Sequence, residues 1–405
     1  MLIYIWMACN GDIVSGGKDI ANVEDTSIAL EPSPEPSDSP TEPANEEPEE
    51  VLEERIVFTT IRNGGGGGVF IYSPEREEVV WRVINTRGKH WLDAQPSSDG
   101  KYIYVLEDNL FSPVDHSSLL VFDQSGLIEE HFFRDFHHTI AVLSDEQGEV
   151  IFTLEQDYLG QNPVNISDKV MRYRDGFSEP IFQIKDWVDY DLLENNFKVL
   201  ANDDIDKSHA NTIRFEPARN TLIVSFAGLN CIVELSLDGT PLHFYLGAEF
   251  EPFAMKDTSA TIWTGGEFIK PHGARFDEQN TLWVISDTEN IGEKSKEIQQ
   301  YRLVDVAIEN QETESENQCS LDTASNEEIY PSLLLQHQIP PPYEGMLPAA
   351  GGDLIPWNNG NIMANWGFSG VMEEVNLEGE RIWMLETPIQ ESLGFFGTTT
   401  ISFEN

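Results

Sequence analysis

Four of the nine histidines occupy corresponding places in the chain, each directly before a run of β-forming residues. They are His90, His138, His209 and His272. An imidazole can exchange a proton near neutral pH and can act as a nucleophile, so several of them together would suit group-transfer chemistry. A lone histidine at a strand start is usually a surface or capping residue, and descent from one ancestral repeat would leave all four without a chemical role. The prediction of a shared site therefore depends on whether the fold brings these strand starts together.

The strands that would position these histidines occur in two kinds of segment, which alternate from residue 55 onward. The first kind runs through a turn in which Gly or Asn can supply the positive φ of tight turns. Five such segments begin at His90, His138, His209, His272 and Gly352. The second kind is a closing hairpin, found at 68–84, 118–133, 169–184, 231–247 and 371–386, with a less regular copy over 299–338.

Six closing hairpins predict six four-stranded sheets, and radial repetition of such sheets gives an all-β, six-bladed β-propeller over residues 55–405. We expect the C-terminal run GTTTISF (397–403) to complete a sheet with RIVFTTI (55–61). The first strand of each blade lines the central channel of a propeller, so the four histidines would converge at one mouth. A pair of stacked β-sandwiches is the alternative architecture, and six matched hairpin pairs favour the propeller over it.

The first 54 residues have a different composition. Residues 1–9 form an apolar run that ends in Ala8 and Cys9, as in a truncated or atypical lipoprotein signal without its basic region. Residues 10–54 carry fourteen acidic residues and one basic residue in a Ser/Pro-rich stretch, which predicts a disordered linker. We expect lipidation of Cys9 and export as a bacterial outer-membrane lipoprotein, periplasmic or on the cell surface. A frayed N-terminus with a free thiol is the alternative.

Charge and cysteine content exclude several classes of partner. The chain carries 71 acidic and 24 basic side chains, a net charge of −47, which excludes duplex nucleic acid and polybasic attachment to anionic lipid. No apolar stretch is long enough to predict a membrane-spanning helix. Cys231 and Cys319 remain as a possible disulfide pair, although nothing in the sequence shows that they meet. The His and carboxylate spacings fit no standard zinc or calcium pattern, so no metal site is predicted.

Three motifs together resemble one family of enzymes. They are SHANTI (208–213) followed by TLIVSF and IVELSLDG, PHGAR (271–275) with NTLWVISDTEN, and NGNIMANWG followed by EEVNLEGERIW. In this order, over most of residues 55–405, they resemble the bacterial arylsulfotransferase family. The resemblance implies an exported six-bladed propeller that moves a sulfuryl group from an aryl sulfate to a phenol. It also implies that the sulfuryl donor is not adenylyl sulfate and that the reaction uses no cofactor.

The resemblance also implies roles for particular residues. His272 matches the covalent nucleophile of the family, and His209 and Asn211 match donors to the sulfuryl oxygens. His138 matches an earlier channel histidine, while His137 is expected to point the other way because side chains alternate along a strand. A sulfohistidine intermediate suits this set, since imidazole nitrogen can hold SO₃ and release it again.

The chain departs from the family at positions that bear on activity. Ala227 lies where the family has an arginine, and Gly273 lies where an acidic residue often follows the nucleophile. Arg275 is a candidate to replace the missing arginine, and we place it with His90 among the expected substrate-binding residues.

Two other classes of function remain open. One is a catalytically altered or inactive propeller of the same family that binds a ligand or partner at its channel mouth. The other is a different propeller enzyme, such as a quinone-dependent dehydrogenase, a lactonase, or a metal-dependent hydrolase built on Asp93, Glu267 and Asp353. No repeated tryptophan motif favours the dehydrogenase, and nothing further in the sequence favours the hydrolase.

Overall fold

The computed structural model describes residues 53–61, 67–108, 117–133, 136–159, 165–193, 198–199, 205–290, 293–304, 330–342, 351–357, 359–386 and 394–403. The predicted signal with Cys9, almost all of the predicted linker, and Cys319 lie outside these residues. Within the described part of the chain, no helix has the length and apolar character needed to cross a membrane.

Six sheets surround a central channel, and the chain is a six-bladed β-propeller as predicted. The first two blades are four-stranded and antiparallel. Blade 1 contains β1 (Glu53–Ile61), β2 (Gly67–Ser73), β3 (Glu78–Ile84) and the last strand, β27 (Gly394–Phe403). Blade 2 contains β4 (His90–Pro96), β5 (Ile103–Asp108), β6 (Ser117–Asp123) and β7 (Gly126–Phe133).

The middle blades carry additional short strands. Blade 3 contains β8 (Phe136–Asp145), β9 (Gly148–Tyr158), β10 (Asn165–Arg174) and β11 (Phe177–Gln183), with β12 (Lys198–Val199) and β13 (Ile205–Asp206) added beside β10. Blade 4 contains β14 (Ala210–Glu216), β15 (Thr221–Phe226), β16 (Cys231–Ser236), β17 (Pro241–Leu246) and the added β18 (Thr261–Trp263). The sequence pattern did not indicate β12, β13 or β18.

The last two blades return to four strands each. Blade 5 contains β19 (Ile269–Phe276), β20 (Leu282–Asn290), β21 (Glu293–Val304) and β22 (Ser332–Ile339). Blade 6 contains β23 (Asp353–Pro356), β24 (Ile362–Asn365), β25 (Val371–Val375) and β26 (Arg381–Glu386). Helical structure in the described residues consists of short 3₁₀ turns at Ile184–Asp186, Tyr190–Leu192, Ala227–Leu229, Pro252–Ala254 and Gly367–Ser369.

Blade 1 closes the ring by joining the two ends of the propeller. β27 pairs antiparallel with β1, with Val57 opposite Thr399 and Arg55 opposite Ile401. This is the predicted pairing of 397–403 with 55–61. Closure pairs the first and last strands within one blade and gives β1 a partner on each side.

The core consists of layers between neighbouring blades. On β1, Ile56 and Phe58 pack toward blade 6, while the intervening Val57 packs toward blade 2. On β15, Ile223 faces blade 5, and its neighbours Leu222 and Val224 face blade 3. Because both faces of each blade are buried, the central strands are continuous apolar runs rather than alternating ones.

The inner strands β27, β4, β8, β14, β19 and β23 contact one another in that order around the channel. Register shifts interrupt the start of β4, β8, β14 and β19, between Trp91 and Asp93 in β4 and between His137 and Ile140 in β8. In a regular strand, successive side chains point to opposite faces, and a bulge changes this direction locally. The predicted histidines therefore lie where the backbone of the inner strands is least regular.

Candidate functional site

The starts of β8, β14 and β19 bring histidines from three neighbouring blades together. The rings of His138 and His209 meet edge to face with centroids 5.4 Å apart. Two residues beyond His209, the Asn211 amide nitrogen lies 3.0 Å from His272 Nδ1. We call this cluster, His137, His138, His209, Asn211 and His272, the histidine end of the channel.

His209 is held by a carboxylate three residues earlier. Its Nδ1 lies 2.6 Å from Asp206 Oδ2, and its backbone N–H donates to Asp206 Oδ1 at 3.0 Å. A carboxylate only accepts hydrogen bonds, so Nδ1 carries a proton and donates it to Asp206, and Nε2 is the nitrogen that can gain or lose a proton. No hydrogen bond to Nε2 is present among the described residues, and the side chain is 14% exposed. His209 is therefore oriented to exchange a proton with a ligand through Nε2.

His272 lies buried between an amide and a carboxylate. Asn211 faces its Nδ1, and its Nε2 lies 3.4 Å from Asp287 Oδ1. This arrangement favours the tautomer protonated on Nε2. Burial, reinforced by the positive charge of Lys296, holds the pKa of His272 below its ordinary value. His272 is consequently a neutral imidazole at pH 7, the form that a nucleophile requires.

Asp287 remains ionised beside this neutral ring. Burial by itself would raise the pKa of Asp287, but contact with His272 and the charges of Lys296 and Lys270 bring it below its usual range. A carboxylate held in this way can stabilise positive charge that develops on His272 when the ring is modified.

His137 contradicts the expectation that it points away from the site. Its Nδ1 lies 2.5 Å from Nδ1 of His138, and its Nε2 lies 2.9 Å from Asp168 Oδ1. Alternation fails here because the β8 bulge spans these residues and His138 has a left-handed backbone with φ of 62°. Burial opposes the charged form of His137, but Asp168 outweighs it and the pKa is raised.

The carboxylate of Asp168 also joins blade 3 to blade 4. It accepts hydrogen bonds from Ser208 Oγ at 2.6 Å and from the Ala210 backbone at 2.7 Å. The sequence pattern did not indicate Asp168, Asp206 or Asp287, the three carboxylates that contact the histidine end. Only Asp206 had a local signal, its position three residues before His209; the other two lie on different strands from the histidines they contact.

Arg275, one of the expected substrate-binding residues, lies apart from the histidine end. Arg275 lies near the opposite end of β19, where its Nη1 is 3.3 Å from the Phe215 carbonyl and 3.5 Å from Glu216 Oε1. The structure does not bring Arg275 to His272. His90 lies buried at the start of β4, next to β8 in the ring, and burial lowers its pKa.

The structure shows which groups surround Ala227 and Gly273, the two positions that depart from the family pattern. Ala227 begins a 3₁₀ turn, and its N–H donates to the His209 carbonyl at 2.9 Å. A Cβ at Gly273 would lie 2.9 Å from Asp353 Oδ1 and 3.0 Å from Asp353 Cα. Glycine at 273 therefore allows β19 to approach β23, and an acidic side chain would not fit there.

An ion cluster that the sequence pattern did not indicate crosses the channel. The Arg214 guanidinium on β14 lies 2.6 Å from Asp93 Oδ2 on β4 and 2.7 Å from Asp353 Oδ2 on β23. All three side chains are at most 2% exposed. Arg214 thus ties three alternate blades at the channel axis.

This cluster also bears on the metal-dependent hydrolase considered above. Asp93 and Asp353 both face a guanidinium, and Glu267 lies exposed at the surface. Among the described residues, no group of histidine, cysteine or acidic side chains has the geometry to hold a metal ion. The three acids do not form a shared site.

At the other mouth, the turns that follow the inner strands surround a cavity of about 1600 Å³. Arg214 borders this cavity, as do Glu216 and Arg275. Burial raises the pKa of Glu216 to about 7, although Arg275 opposes the shift. The sequence offered no signal for this second mouth beyond the predicted turns.

No protein-family model and no curated protein matches the chain. Similar solved structures include a protein of unknown function from Bacteroides caccae, with 9% identity and a TM-score of 0.44 over 86% of this chain and 98% of that one. A proposed 6-phosphogluconolactonase from Bacteroides fragilis NCTC 9343 has 14% identity and a TM-score of 0.43 over 83% of each chain. The periplasmic gluconolactonase PpgL of Pseudomonas aeruginosa has 11% identity and a TM-score of 0.41 over 87% of this chain and 99% of that one. The six-bladed fold itself rests on the strand pairing.

Proposed function

We propose that the protein is an arylsulfotransferase-like enzyme that moves a sulfuryl group from an aryl sulfate to a phenolic acceptor through a sulfohistidine. One observation carries the proposal. A buried neutral imidazole, His272, lies against an amide donor and a carboxylate at the same end of the channel as His209, which presents Nε2 for proton exchange. Nucleophile, oxygen donor and proton carrier are the three groups that sulfuryl transfer requires.

In the first half-reaction, Nδ1 of His272 attacks the sulfur of the bound aryl sulfate. Asn211 turns its N–H from Nδ1 to a sulfuryl oxygen, which releases the lone pair that attacks. The bond from sulfur to the aryl oxygen breaks, and the departing phenolate takes a proton from protonated His209. Asp287, beside Nε2, stabilises the positive charge on the sulfated ring.

In the second half-reaction, an acceptor phenol takes the place of the first product. Neutral His209 accepts its proton at Nε2 as the phenol oxygen attacks sulfur. The bond between sulfur and Nδ1 of His272 breaks, and the ring returns to its neutral form. The net change is transfer of one sulfuryl group, with His209 protonated again for the next cycle.

A second candidate function is a propeller that binds a ligand without reaction. The observation that favours it is the burial of His272, with Asn211 on one ring nitrogen and Asp287 near the other. The alanine at 227 and the net charge of −47 also fit a site that does not process anionic esters.

The test is a transfer assay on the full chain, with 4-nitrophenyl sulfate as donor and phenol as acceptor. We expect phenol-dependent release of 4-nitrophenol, reduced on the order of 10³-fold or more in H272A because the nucleophile is lost. His243 is the matched control, since it is half-buried on β17 and its Nδ1 accepts from Trp263 Nε1 at 3.3 Å. H243A should retain wild-type turnover. Absence of turnover from folded wild-type protein over a panel of aryl sulfates would favour the binding propeller.

We also propose export, with a lipid anchor at Cys9. The support is the apolar run that ends at this cysteine and the acidic spacer that follows it. Radiolabelled palmitate should be incorporated into the wild-type chain expressed in a bacterial host and not into C9A.

A further inference from the structure

Arg275 borders the cavity at the second mouth, and its guanidinium makes only long contacts there. Its Nη1 lies 3.3 Å from the Phe215 carbonyl and 3.5 Å from Glu216 Oε1, both longer than an ordinary N–H···O bond. Within the described part of the chain, the buried Nε has no hydrogen-bond partner and Nη2 donates to no residue. A guanidinium has five N–H donors, so most of the capacity of this one is unused.

The other two arginines that border this cavity are satisfied by the protein itself. Arg219 holds the Glu234 carboxylate through Nε and Nη2, each at 2.7 Å. Arg214 makes the short contacts of the ion cluster described above. The Arg275 side chain is only 12% exposed, and burial of a donor without a partner is costly. The unused donors of Arg275 therefore indicate a ligand that would accept from them.

The backbone places Arg275 on the channel wall, next to the Arg214 cluster. A Cβ at Gly273 would touch Asp353 of that cluster, and the pairing of β19 with β20 is regular from Gly273 to Phe276. Side chains two residues apart on a regular strand share a face, so Arg275 points to the same side as Gly273. Because the cluster itself is buried, Arg275 lies between it and the open mouth.

The side chains around Arg275 suit an organic acid better than an inorganic ion. Gln95, Val142 and Ile355 border the same cavity from β4, β8 and β23, and two of them are apolar. Gln300 borders it from β21; this side chain is 7% exposed, and its amide makes no hydrogen bond to any described residue. Apolar walls with a few convergent polar groups are typical of sites for small organic ligands.

We infer that the second mouth binds a ligand that carries a carboxylate on an apolar body, and that Arg275 holds the carboxylate. The planar guanidinium matches a carboxylate in geometry, and Nη2 would donate to a ligand oxygen. Glu216 competes for the same guanidinium, and its contact at 3.5 Å is the one that the ligand would displace. Sulfuryl transfer is not needed for this site, because it lies at the opposite end of the channel from His272.

The test is calorimetric titration of the full chain with benzoate, and with benzamide as an uncharged probe of nearly the same shape. Wild type should bind benzoate and not benzamide. We expect R275M to weaken benzoate on the order of 10- to 100-fold, and R275K to weaken it by less because lysine keeps the charge but loses the fork. R219K is the matched control and should bind as wild type, because Arg219 borders the same cavity with its fork on Glu234.

A second variant should move the affinity in the opposite direction. Burial raises the pKa of Glu216 to about 7, so most of this carboxyl is ionised at about pH 8 and competes with the ligand for Arg275. E216Q removes that charge and should tighten benzoate at this pH by roughly 3- to 10-fold. This gain in affinity keeps the test valid even if R275M does not fold.

Several results would overturn this site. They are wild-type protein that binds no benzoate at millimolar concentrations, and equal benzoate affinity in wild type, R275K and E216Q. Tighter binding of inorganic phosphate than of benzoate would contradict the carboxylate assignment. Loss of benzoate binding in H272A and not in R275M would place the ligand at the histidine end instead. None of these results decides the transferase proposal, which is read from turnover at His272.

Discussion

At the residue scale, the chemistry of the histidine end depends on which nitrogen of each imidazole carries a proton. Asp206 fixes this for His209, and Asn211 with Asp287 fixes it for His272. A carboxylate behind a histidine also holds the ring in one orientation, as in metal and catalytic sites generally. The carboxylates are therefore as much part of the site as the imidazoles.

Replacement of Asp206 by asparagine tests this dependence. In D206N the amide can donate to His209 Nδ1, which would move the ring proton to Nε2 and remove the base. We expect turnover in the transfer assay to fall on the order of 10- to 100-fold. D99N is the control, because Asp99 lies at the other mouth and pairs with exposed Lys101. Equal turnover in D206N and wild type would exclude His209 as the proton carrier.

Sequence alone identified the imidazoles of this site and Asn211, but not their charged partners. His138, His209 and His272 stand out because the repeat places each of them before an opening strand. Asp168, Asp287 and Lys296 belong to second and third strands of their blades, and their contacts depend on how blades pack. No spacing in one sequence encodes such a contact. The inward position of His137 was also unpredictable, since a bulge overrides alternation.

At the element scale, the inner strands provide both the bulged starts that hold the site and the regular ends that surround the second mouth. The repeat of opening and closing segments predicted these strands and their order. It did not predict the short β12, β13 and β18, which are two or three residues long and lack any periodicity. The ends of neighbouring inner strands are linked by side chains such as Glu216 on β14 and Arg275 on β19.

The Glu216 carboxyl makes stability depend on pH in a defined direction. Burial raises its pKa from 4.5 to about 7 in the folded state, so folded protein holds this proton over a range where unfolded protein has lost it. The unfolded state then binds fewer protons, and stability falls as pH rises from about 4.5 to 7. E216Q removes the titration.

The comparison is urea unfolding of E216Q and wild type at a series of pH values. The free energy of unfolding of E216Q relative to wild type should increase between pH 5 and pH 7.5, by up to about 3 kcal/mol, and level off above that. E278Q, an exposed carboxyl on the same mouth, is the control and should show no such trend. A constant difference between E216Q and wild type would mean that Glu216 titrates normally.

At the scale of the whole molecule, two separate sets of contacts hold the ring of blades together. β27 closes it at the level of strand pairing, and the Arg214 cluster closes it across the channel axis. The first closure was predictable, because the terminal runs have matching β-forming character. The second was not, since Arg214, Asp93 and Asp353 are separated by more than a hundred residues and meet only when six blades form a ring.

Loss of the Arg214 charge should therefore destabilise the whole propeller. R214M leaves Asp93 and Asp353 buried without their cation, which should lower the free energy of unfolding by about 3–5 kcal/mol. The triple variant R214M/D93N/D353N should recover part of this loss. R172M removes a surface ion pair with Glu179 and should change stability by about 1 kcal/mol at most. If R214M is as stable as R172M, the cluster does not hold the ring together.

In the proposed reaction, a histidine at one mouth of the propeller carries the sulfuryl group. The most direct measurement is mass spectrometry of the full chain after brief exposure to 4-nitrophenyl sulfate without an acceptor. We expect an added mass of about 80 Da, one SO₃, that maps to His272, disappears on addition of phenol and is absent from H272A. Folded wild-type protein that gains no mass, or an adduct that maps elsewhere and persists in H272A, would contradict it.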